Sequence, residues 1–216
     1  MSDASLAAAH DDPHNLRGLQ DMTLGHDGPA PKRIVTAYGF WIFLLSDVII
    51  FACFFAAYAV LAQETAGGPS GSQLFDLKMV AIETAVLLAS SFTCGMAAIA
   101  ADVRNAKWFQ ISMAATAVLG ICFLGLEFHE FSELIERGAG PSRSAFLSSF
   151  FSLVGCHGLH VSAGTLWLLT MMAQVWSKGF RADIQRRILC FALFWHALDI
   201  IWVGIFSMVY LLGSAA

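Results

Sequence analysis

The sequence predicts an all-α, polytopic membrane protein built as a bundle of five transmembrane helices. Hydrophobic residues make up 57% of the 216 residues and charged residues 13%, about half the charged fraction of a soluble domain. Five apolar runs are each long enough to cross a hydrocarbon core of about 30 Å as a helix. The runs do not alternate strictly between polar and apolar residues, so a membrane β-barrel is not indicated.

Each apolar run is interpreted as a helix because backbone groups within lipid must form their hydrogen bonds inside the segment itself. Residues 1–33 are rich in Asp, His, Gly and Pro and are predicted to form a polar, disordered tail. Residues 34–216 are predicted to form one transmembrane domain. Its expected spans are approximately 35–62, 79–101, 109–131, 145–176 and 188–212.

Short polar connections separate the spans. The first connection contains Gly-Gly-Pro-Ser-Gly at 67–71, a sequence that favours turns. The third contains Gly-Ala-Gly-Pro at 138–141, which is expected to end the third helix and redirect the chain.

The distribution of Lys and Arg predicts the orientation. The tail and the second and fourth connections share one side of the membrane and carry nine basic residues, whereas the other side carries three. The positive-inside rule therefore places the N-terminus in the cytoplasm and the C-terminus outside. The nine are Arg17, Lys32, Arg33, Arg104, Lys107, Lys178, Arg181, Arg186 and Arg187, and the three are Lys78, Arg137 and Arg143.

Net charge and cysteine spacing argue against two further kinds of site. The formal net charge is −4 and basic residues do not cluster, so binding to nucleic acid is not expected. The cysteines lie within apolar runs and form no C-x-x-C pair, so they are interpreted as small buried apolar side chains. These cysteines are Cys53, Cys94, Cys122, Cys156 and Cys190.

Eight ionisable side chains within the spans form the candidate site, because such groups are costly in lipid and face a partner instead. At about 100° per residue, His157 and His160 share one face of the fourth helix. Gly155, Gly158 and Ser162 lie opposite and form a small-residue ridge that lets another helix approach. The eight candidates are Asp47, Glu83, Glu127, Glu130, His157, His160, His196 and Asp199.

The other helices also place their ionisable groups on defined faces. Glu127 and Glu130 share a face of the third helix, with His129 turned away. On the fifth helix His196 and Asp199 are three residues apart, close enough to interact directly. On the first helix Asp47 shares its face with Phe40, Phe51, Phe54 and Tyr58. On the second helix Glu83 shares its face with Leu87, Ser90 and Cys94.

Three roles are open for these groups. His157, His160, His196 and Asp199 could supply four metal ligands, but the Glu-x-x-His pairs of helical di-iron proteins are missing. Haem would need a histidine on each of two facing helices. Alternatively the groups relay protons. In the third, structural interpretation His157 and His160 pair with carboxylates of adjacent helices, Glu127 or Asp199 first among them.

Two stretches carry a family resemblance. Residues 149–161 read Ser-Phe-Phe-Ser-Leu-Val-Gly-Cys-His-Gly-Leu-His-Val, and residues 194–202 read Phe-Trp-His-Ala-Leu-Asp-Ile-Ile-Trp. Their G-x-H-G-L-H-V and W-H-x-x-D-x-x-W patterns closely resemble subunit III of the haem–copper terminal oxidases. Segments 41–51, 84–91 and 125–131 are similar to other helices of that family, and the resemblance covers about residues 35–213.

The helix count indicates a subfamily. Many cytochrome c oxidase subunits III have seven helices, and this chain lacks the first two. The five-helix form, with its 65–69 and 140–144 loops, resembles the cytochrome o (bo3-type) ubiquinol oxidases of bacteria. Subunit III of a cytochrome c oxidase stays open as an alternative, as does a self-sufficient membrane metalloenzyme or proton-coupled transporter.

The resemblance implies a non-redox accessory subunit of the bacterial inner membrane. Haems and copper are expected in subunit I, so this chain is expected to contain no catalytic, cofactor-binding or metal-binding residue. The complex would oxidise ubiquinol, reduce oxygen to water and translocate protons. This subunit would support assembly, lipid packing and proton uptake of subunit I, in contact with it and with other oxidase subunits.

The resemblance also assigns two local roles. Asp47 occupies the position of a membrane-buried carboxylate, usually Glu, that is associated with support of proton uptake. The family holds phospholipids in a cleft of subunit III. Because two helices are missing here, part of the cleft wall is expected to come from a helix pair appended to subunit I.

Overall fold

The computed structural model describes residues 32–68, 71–74 and 76–215. The predicted tail, residues 1–33, therefore lies almost entirely outside the described residues. The chain divides into two compact units, Met1–Val35 and Thr36–Ala216. Of the first unit, only the residues that begin the first long helix are described.

Five long helices follow one another, each long and apolar enough to cross a membrane, so the five-span prediction is confirmed. A single helical turn, Gly71–Leu74, lies in the first connection. The last long helix continues as a π-helical segment, Phe206–Leu211, and a closing turn, Leu212–Ala215. The long helices are α1 (Lys32–Leu61), α2 (Leu77–Asp102), α3 (Ala106–Glu136), α4 (Ala145–Lys178) and α5 (Ala182–Ile205).

Side-chain caps begin three of these helices. Asp76 accepts from the Lys78 N–H at the start of α2, and Ser144 accepts from the Leu147 N–H at the start of α4. Asn105 does the same for α3. The helices α3 and α5 extend beyond the apolar runs that predicted them, because low polarity marks the bilayer core whereas capping and hydrogen bonding mark the helix ends.

Four of the helices close a ring in which α2 packs on α3, α3 on α4, α4 on α5, and α5 on α2. Contacts between connections show which helix ends lie together. The Phe146 N–H donates to the Glu64 carbonyl at 3.3 Å, so the first and third connections meet at one end of the bundle. At the other end the Gln185 amide donates to the Ala101 carbonyl at 3.4 Å.

Helix α1 lies on the outside of this ring. In the most apolar 18-residue stretch of α1, 11% is buried, against 61% in the corresponding stretch of α5 and its extension. It reaches α4 through large side chains, with ring centroids 5.9 Å apart for Phe40 and Trp167 and 6.0 Å apart for Tyr58 and Phe146. Cys53 of α1 is exposed on the helix surface, so the prediction that every cysteine is buried is wrong; Cys122 of α3 is exposed as well.

Trp195 of α5 fills the centre of the ring. A methyl group added to Gly120 of α3 or to Gly164 of α4 would lie 3.0 Å from its indole ring. Two glycines therefore leave the space that this large side chain occupies. The ring centre is a packed core, with Phe123 and Trp202 in edge-to-face contact nearby at 4.6 Å between centroids.

Candidate functional site

Two tryptophans link α5 to α2 through their indole N–H groups. Trp195 donates to the Ser90 hydroxyl and Trp202 to the Thr84 hydroxyl, each at 3.1 Å. Both indoles are buried, where an unpaired N–H would be costly. The two bonds fix α5 against α2 at points two helical turns apart.

His196 makes a third link from α5 to α2. Its Nδ1 lies 2.7 Å from the Ser91 hydroxyl. The same nitrogen is 3.9 Å from the carboxylate of Asp199, within ion-pair range but too far for a hydrogen bond. Asp199 is buried and neither of its carboxylate oxygens has a hydrogen-bond partner among the described residues. His196 itself reaches the surface, with 44% of its side chain exposed.

Three carboxyl groups come together near the end of the bundle that holds Arg137. Glu83 of α2 is 0% exposed and Glu127 of α3 is 4% exposed, and each is within electrostatic reach of the other and of Glu130. The Tyr210 hydroxyl donates to Glu130 Oε2 at 2.8 Å. In the described part of the chain both oxygens of Glu83 and Oε2 of Glu127 have no hydrogen-bond partner.

Another helix approaches the small-residue ridge of α4, as predicted, and the structure shows that this helix is α3. A methyl group on Gly158 would lie 2.5 Å from Oε1 of Glu127, and one on Gly155 would lie 3.7 Å from the Phe131 ring. The absence of a side chain at Gly158 is therefore what lets the Glu127 carboxyl group enter the interface between α3 and α4.

His157 is fully buried, and the expected pairing of this residue with a carboxylate is wrong. Neither of its ring nitrogens has a hydrogen-bond partner among the described residues. Aromatic rings surround the imidazole instead, with Trp202 at 5.1 Å, Phe123 at 5.8 Å and Phe51 at 6.3 Å between centroids. This aromatic packing occupies the positions where a carboxylate would have to approach.

His160 faces α1, the helix that carries Asp47. Its Nδ1 lies 2.7 Å from the Cys156 carbonyl oxygen of its own helix, and its ring packs on Phe51 at 5.2 Å. Asp47 of α1 is half-buried and lies within electrostatic reach of Cys156. Asp47, His160 and Cys156 therefore share the interface between α1 and α4, separate from the three carboxyl groups.

The predicted faces agree with the burial pattern. Glu127 is buried and Glu130 half-buried, whereas His129 is exposed. The companions of Asp47 and Glu83 turn inward as well. Fully buried are Phe51, Tyr58, Leu87, Ser90 and Cys94, and half-buried are Phe40 and Phe54.

An apolar groove of about 400 Å³ runs between α1 and α5. In the described part of α1, contacts through large side chains such as Phe40 and Tyr58 hold the helix on the outside of the ring beside this groove. His196 lies at its wall and is the one ionisable residue lining it among those described. The α1 side is formed by Trp41, Leu44, Leu45, Val48, Phe51, Ala52 and Phe55, and the α5 side by Leu193, His196, Ala197, Ile200, Ile201 and Gly204.

A four-ligand metal site from His157, His160, His196 and Asp199 is not assembled. Within the described ranges, three or more His, Cys, Asp and Glu side chains nowhere converge as metal ligands. Both histidines of α4 contact Phe51, but His157 also packs against Trp202, whereas Nδ1 of His160 lies 2.7 Å from the Cys156 carbonyl oxygen.

The hydrogen-bonding partners of the site are not among the candidate site residues that the sequence singles out. Trp195 and Trp202 carry the link to α2, and Tyr210 carries the bond to Glu130. A signal for the tryptophans was present, because a spacing of seven residues places both on one face of a helix. Tyr210 gave no such signal, since it lies in the π-helical segment.

The fold and the site together define a polytopic α-helical membrane protein that buries Glu83, Glu127, His157 and Asp199 inside the bundle. A family model described as "Cytochrome c oxidase subunit III" matches residues 22–214. The chain belongs to this family.

Individual relatives agree with this assignment. The chain is 49% identical over 201 residues to cytochrome bo(3) ubiquinol oxidase subunit 3 of Pseudomonas aeruginosa, covering 93% of this chain and 96% of the relative. It is 41% identical to quinol oxidase subunit 3 of Bacillus subtilis, covering 81% and 86%. It is also 41% identical to cytochrome c oxidase subunit 3 of Bacillus sp. (strain PS3), covering 85% and 92%.

Proposed function

We propose that this chain is the non-redox accessory subunit III of a bacterial terminal ubiquinol oxidase complex. The complex oxidises ubiquinol, reduces oxygen to water and translocates protons across the inner membrane. The observation that carries the proposal is the 49% identity to a bo(3) ubiquinol oxidase subunit 3 across 93% of the chain.

A cytochrome c oxidase is the alternative complex. The relative of that name is 41% identical, less than the 49% found for the Pseudomonas aeruginosa ubiquinol oxidase subunit. The difference favours ubiquinol as the electron donor.

The haems and copper belong to subunit I in this proposal, and this chain lies against it. The buried polar groups then stabilise the helix bundle and support proton uptake, and they take no part in electron transfer. The bonds from Trp195 and Trp202 to α2 hold the ring together, and the aromatic packing around His157 suits a structural residue better than a metal ligand.

The groove between α1 and α5 is proposed to hold phospholipid acyl chains. Its lining is almost entirely apolar, and α1 leaves it open along the surface that would face the membrane. Acyl chains match this lining because they are apolar. They would fill the groove and make the dispersion contacts that its lining otherwise lacks. Helices of subunit I would complete the outer wall of the groove.

The test is purification of the intact complex through an affinity tag on this chain. We expect haem-containing subunit I and further oxidase subunits to copurify, and the complex to consume oxygen with ubiquinol but not with reduced cytochrome c. Oxygen consumption with reduced cytochrome c alone would assign the chain to the alternative oxidase.

The self-sufficient metalloenzyme makes a different prediction for the same preparation. This chain would then purify without partners and carry stoichiometric haem or metal. Loss of that metal after His157→Ala or His196→Ala would refute the accessory-subunit proposal.

A further inference from the structure

The three carboxyl groups Glu130, Glu83 and Glu127 lie near one end of the bundle. Glu83 follows the first residue of α2 by six positions, and Glu130 precedes the last residue of α3 by six. At 1.5 Å per residue each lies about 9 Å inside its helix end. Glu127 lies about one turn further along α3, deeper than the other two. Glu130 is half-buried whereas Glu83 and Glu127 are buried, so Glu130 is the outermost of the three groups.

A pocket of about 120 Å³ opens at this same end, and Glu130 lies in its wall. A water molecule occupies about 30 Å³ in the liquid, so the pocket has room for several. Asp76, His129, Glu133 and Arg137 also line it, and Met79 of α2 contributes an apolar wall. The pocket is therefore polar enough to hold water and reaches the outermost of the three carboxyl groups.

The inner two groups are deeply buried and incompletely bonded. Glu83 is 0% exposed and neither of its oxygens has a partner among the described residues, and Oε2 of Glu127 is also unpartnered. Buried polar atoms in native proteins are normally satisfied by protein groups or by internal water. The ionisable groups within electrostatic reach of these two are other acids and Tyr210, and among the described residues the unpartnered oxygens accept from no cationic side chain.

We propose that Glu130, Glu83 and Glu127 form a carboxyl file that water enters from this pocket and along which protons exchange with the interior of the bundle. Each proton that leaves a carboxyl group for water is replaced by one from water, so no net charge and no electrons move. Glu127, seated against Gly158, is the inner end of the carboxyl file. The orientation proposed from the basic residues places the pocket on the outer side of the membrane.

The carboxyl file goes beyond the proposed function because it needs no particular electron donor and does not involve Asp47. Asp47 belongs to the interface of α1 with α4, whereas the carboxyl file belongs to α2 and α3, with Gly158 of α4 and Tyr210 of the π-helical segment against it. The two acidic sites can therefore be tested independently in the same complex.

The experiment is infrared spectroscopy of the whole oxidase complex in lipid while H₂O is exchanged for D₂O. We expect carboxylic-acid bands that shift on deuteration, one lost in Glu83→Gln and another lost in Glu127→Gln. Glu130→Gln should slow the deuteration of both remaining bands. Met79→Trp should slow it as well, because the larger side chain fills the pocket while leaving all three carboxyl groups in place.

Asp47→Asn is the matched control, since it removes a half-buried acid from a different interface and should leave these bands and their exchange unchanged. Two results would overturn the proposal. One is the absence of any carboxylic-acid band that depends on Glu83 or Glu127. The other is exchange at the wild-type rate in both Glu130→Gln and Met79→Trp.

Discussion

The carboxyl group of Glu127 rests against the backbone of Gly158, so that a methyl group on this glycine would lie 2.5 Å from Oε1. The contact joins α3 to α4 within the G-x-H-G-L-H-V motif. It explains why the residue after His157 has no side chain, and it makes the position of a buried acid dependent on one glycine.

Gly158→Ala is therefore expected to destabilise the subunit. Forcing a methyl group into a packed interface costs about 1–3 kcal/mol, more than the gain of about 1 kcal/mol from replacing glycine by alanine in a helix. The measurement is the temperature at which this subunit dissociates from the purified complex, which should fall.

Gly155→Ala is the control on the same ridge of α4. Its added methyl group would make an ordinary contact of 3.7 Å with Phe131, so the dissociation temperature should stay the same or rise. An equal fall in dissociation temperature in both variants would show that any added methyl group on the ridge is destabilising, and not specifically one that displaces Glu127.

The bond between Trp202 and Thr84 gives a second prediction. Trp202→Phe and Thr84→Val each remove it, and losing such a bond costs about 0.5–1.5 kcal/mol, more where the remaining partner stays buried and unpaired. The double variant should lose less than the two single losses combined, because both remove the same bond. The measurement is a double-mutant cycle on the dissociation temperatures of the wild-type complex, the two single variants and the double variant.

Trp176→Phe is the matched control for this cycle, because Trp176 is 84% exposed on α4 and should tolerate the change. Strict additivity of Trp202→Phe and Thr84→Val would mean that the 3.1 Å contact between the two side chains contributes no coupling.

The five spans and their inward faces could be predicted because hydrophobicity and a period of 3.6 residues determine both. The burial of Glu83 and Glu127 could be predicted because both lie on the inward face of their helix. The partners of the polar groups could not be predicted in the same way. The π-helical segment that contains Tyr210 departs from the period that the face analysis assumes.

The side chains that surround His157 could not be predicted either. Its face was predictable, but the rings of Phe123 and Trp202 that enclose it come from two other helices. Which side chain fills the space beside a buried imidazole depends on how helices pack in three dimensions, and neither motif contains that information.

The groove between α1 and α5 gives a third prediction. Ala52→Trp adds an indole to its lining and is expected to displace acyl chains, so that less phospholipid copurifies with the complex. Ala56→Trp on the exposed surface of the same helix is the control, since Ala56 does not line the groove. Quantitative lipid analysis of both complexes makes the comparison, and unchanged phospholipid in Ala52→Trp would argue against lipid in the groove.

The orientation gives a fourth prediction. With nine basic residues on one side and three on the other, the N-terminus should lie in the cytoplasm and the C-terminus outside. A reporter that works only in the cytoplasm should be inactive when fused after Ala216 and active when inserted in the fourth connection, beside Gly179. Activity after Ala216 would reverse the assignment, and with it the side on which the carboxyl file opens.

The last prediction concerns Asp47, which is half-buried at the interface of α1 with α4 and close to Cys156. Asp47→Asn removes its ionisable group at nearly constant volume. In the proposed role Asp47 supports proton uptake by subunit I without conducting every proton. We therefore expect a modest loss of turnover, or faster decay during sustained turnover, with proton translocation retained.

Oxygen consumption over time and proton release from vesicles containing the complex measure the two quantities separately. Asp183→Asn is the control, because Asp183 at the start of α5 keeps 49% of its side chain exposed and lies 3.6 Å from Arg181, and surface ion pairs of this kind contribute little. Asp47→Glu should restore the wild-type behaviour, since it keeps the carboxyl group. If the Asp47→Asn complex assembled normally but translocated no protons, this chain would be an obligatory proton conduit rather than an accessory subunit.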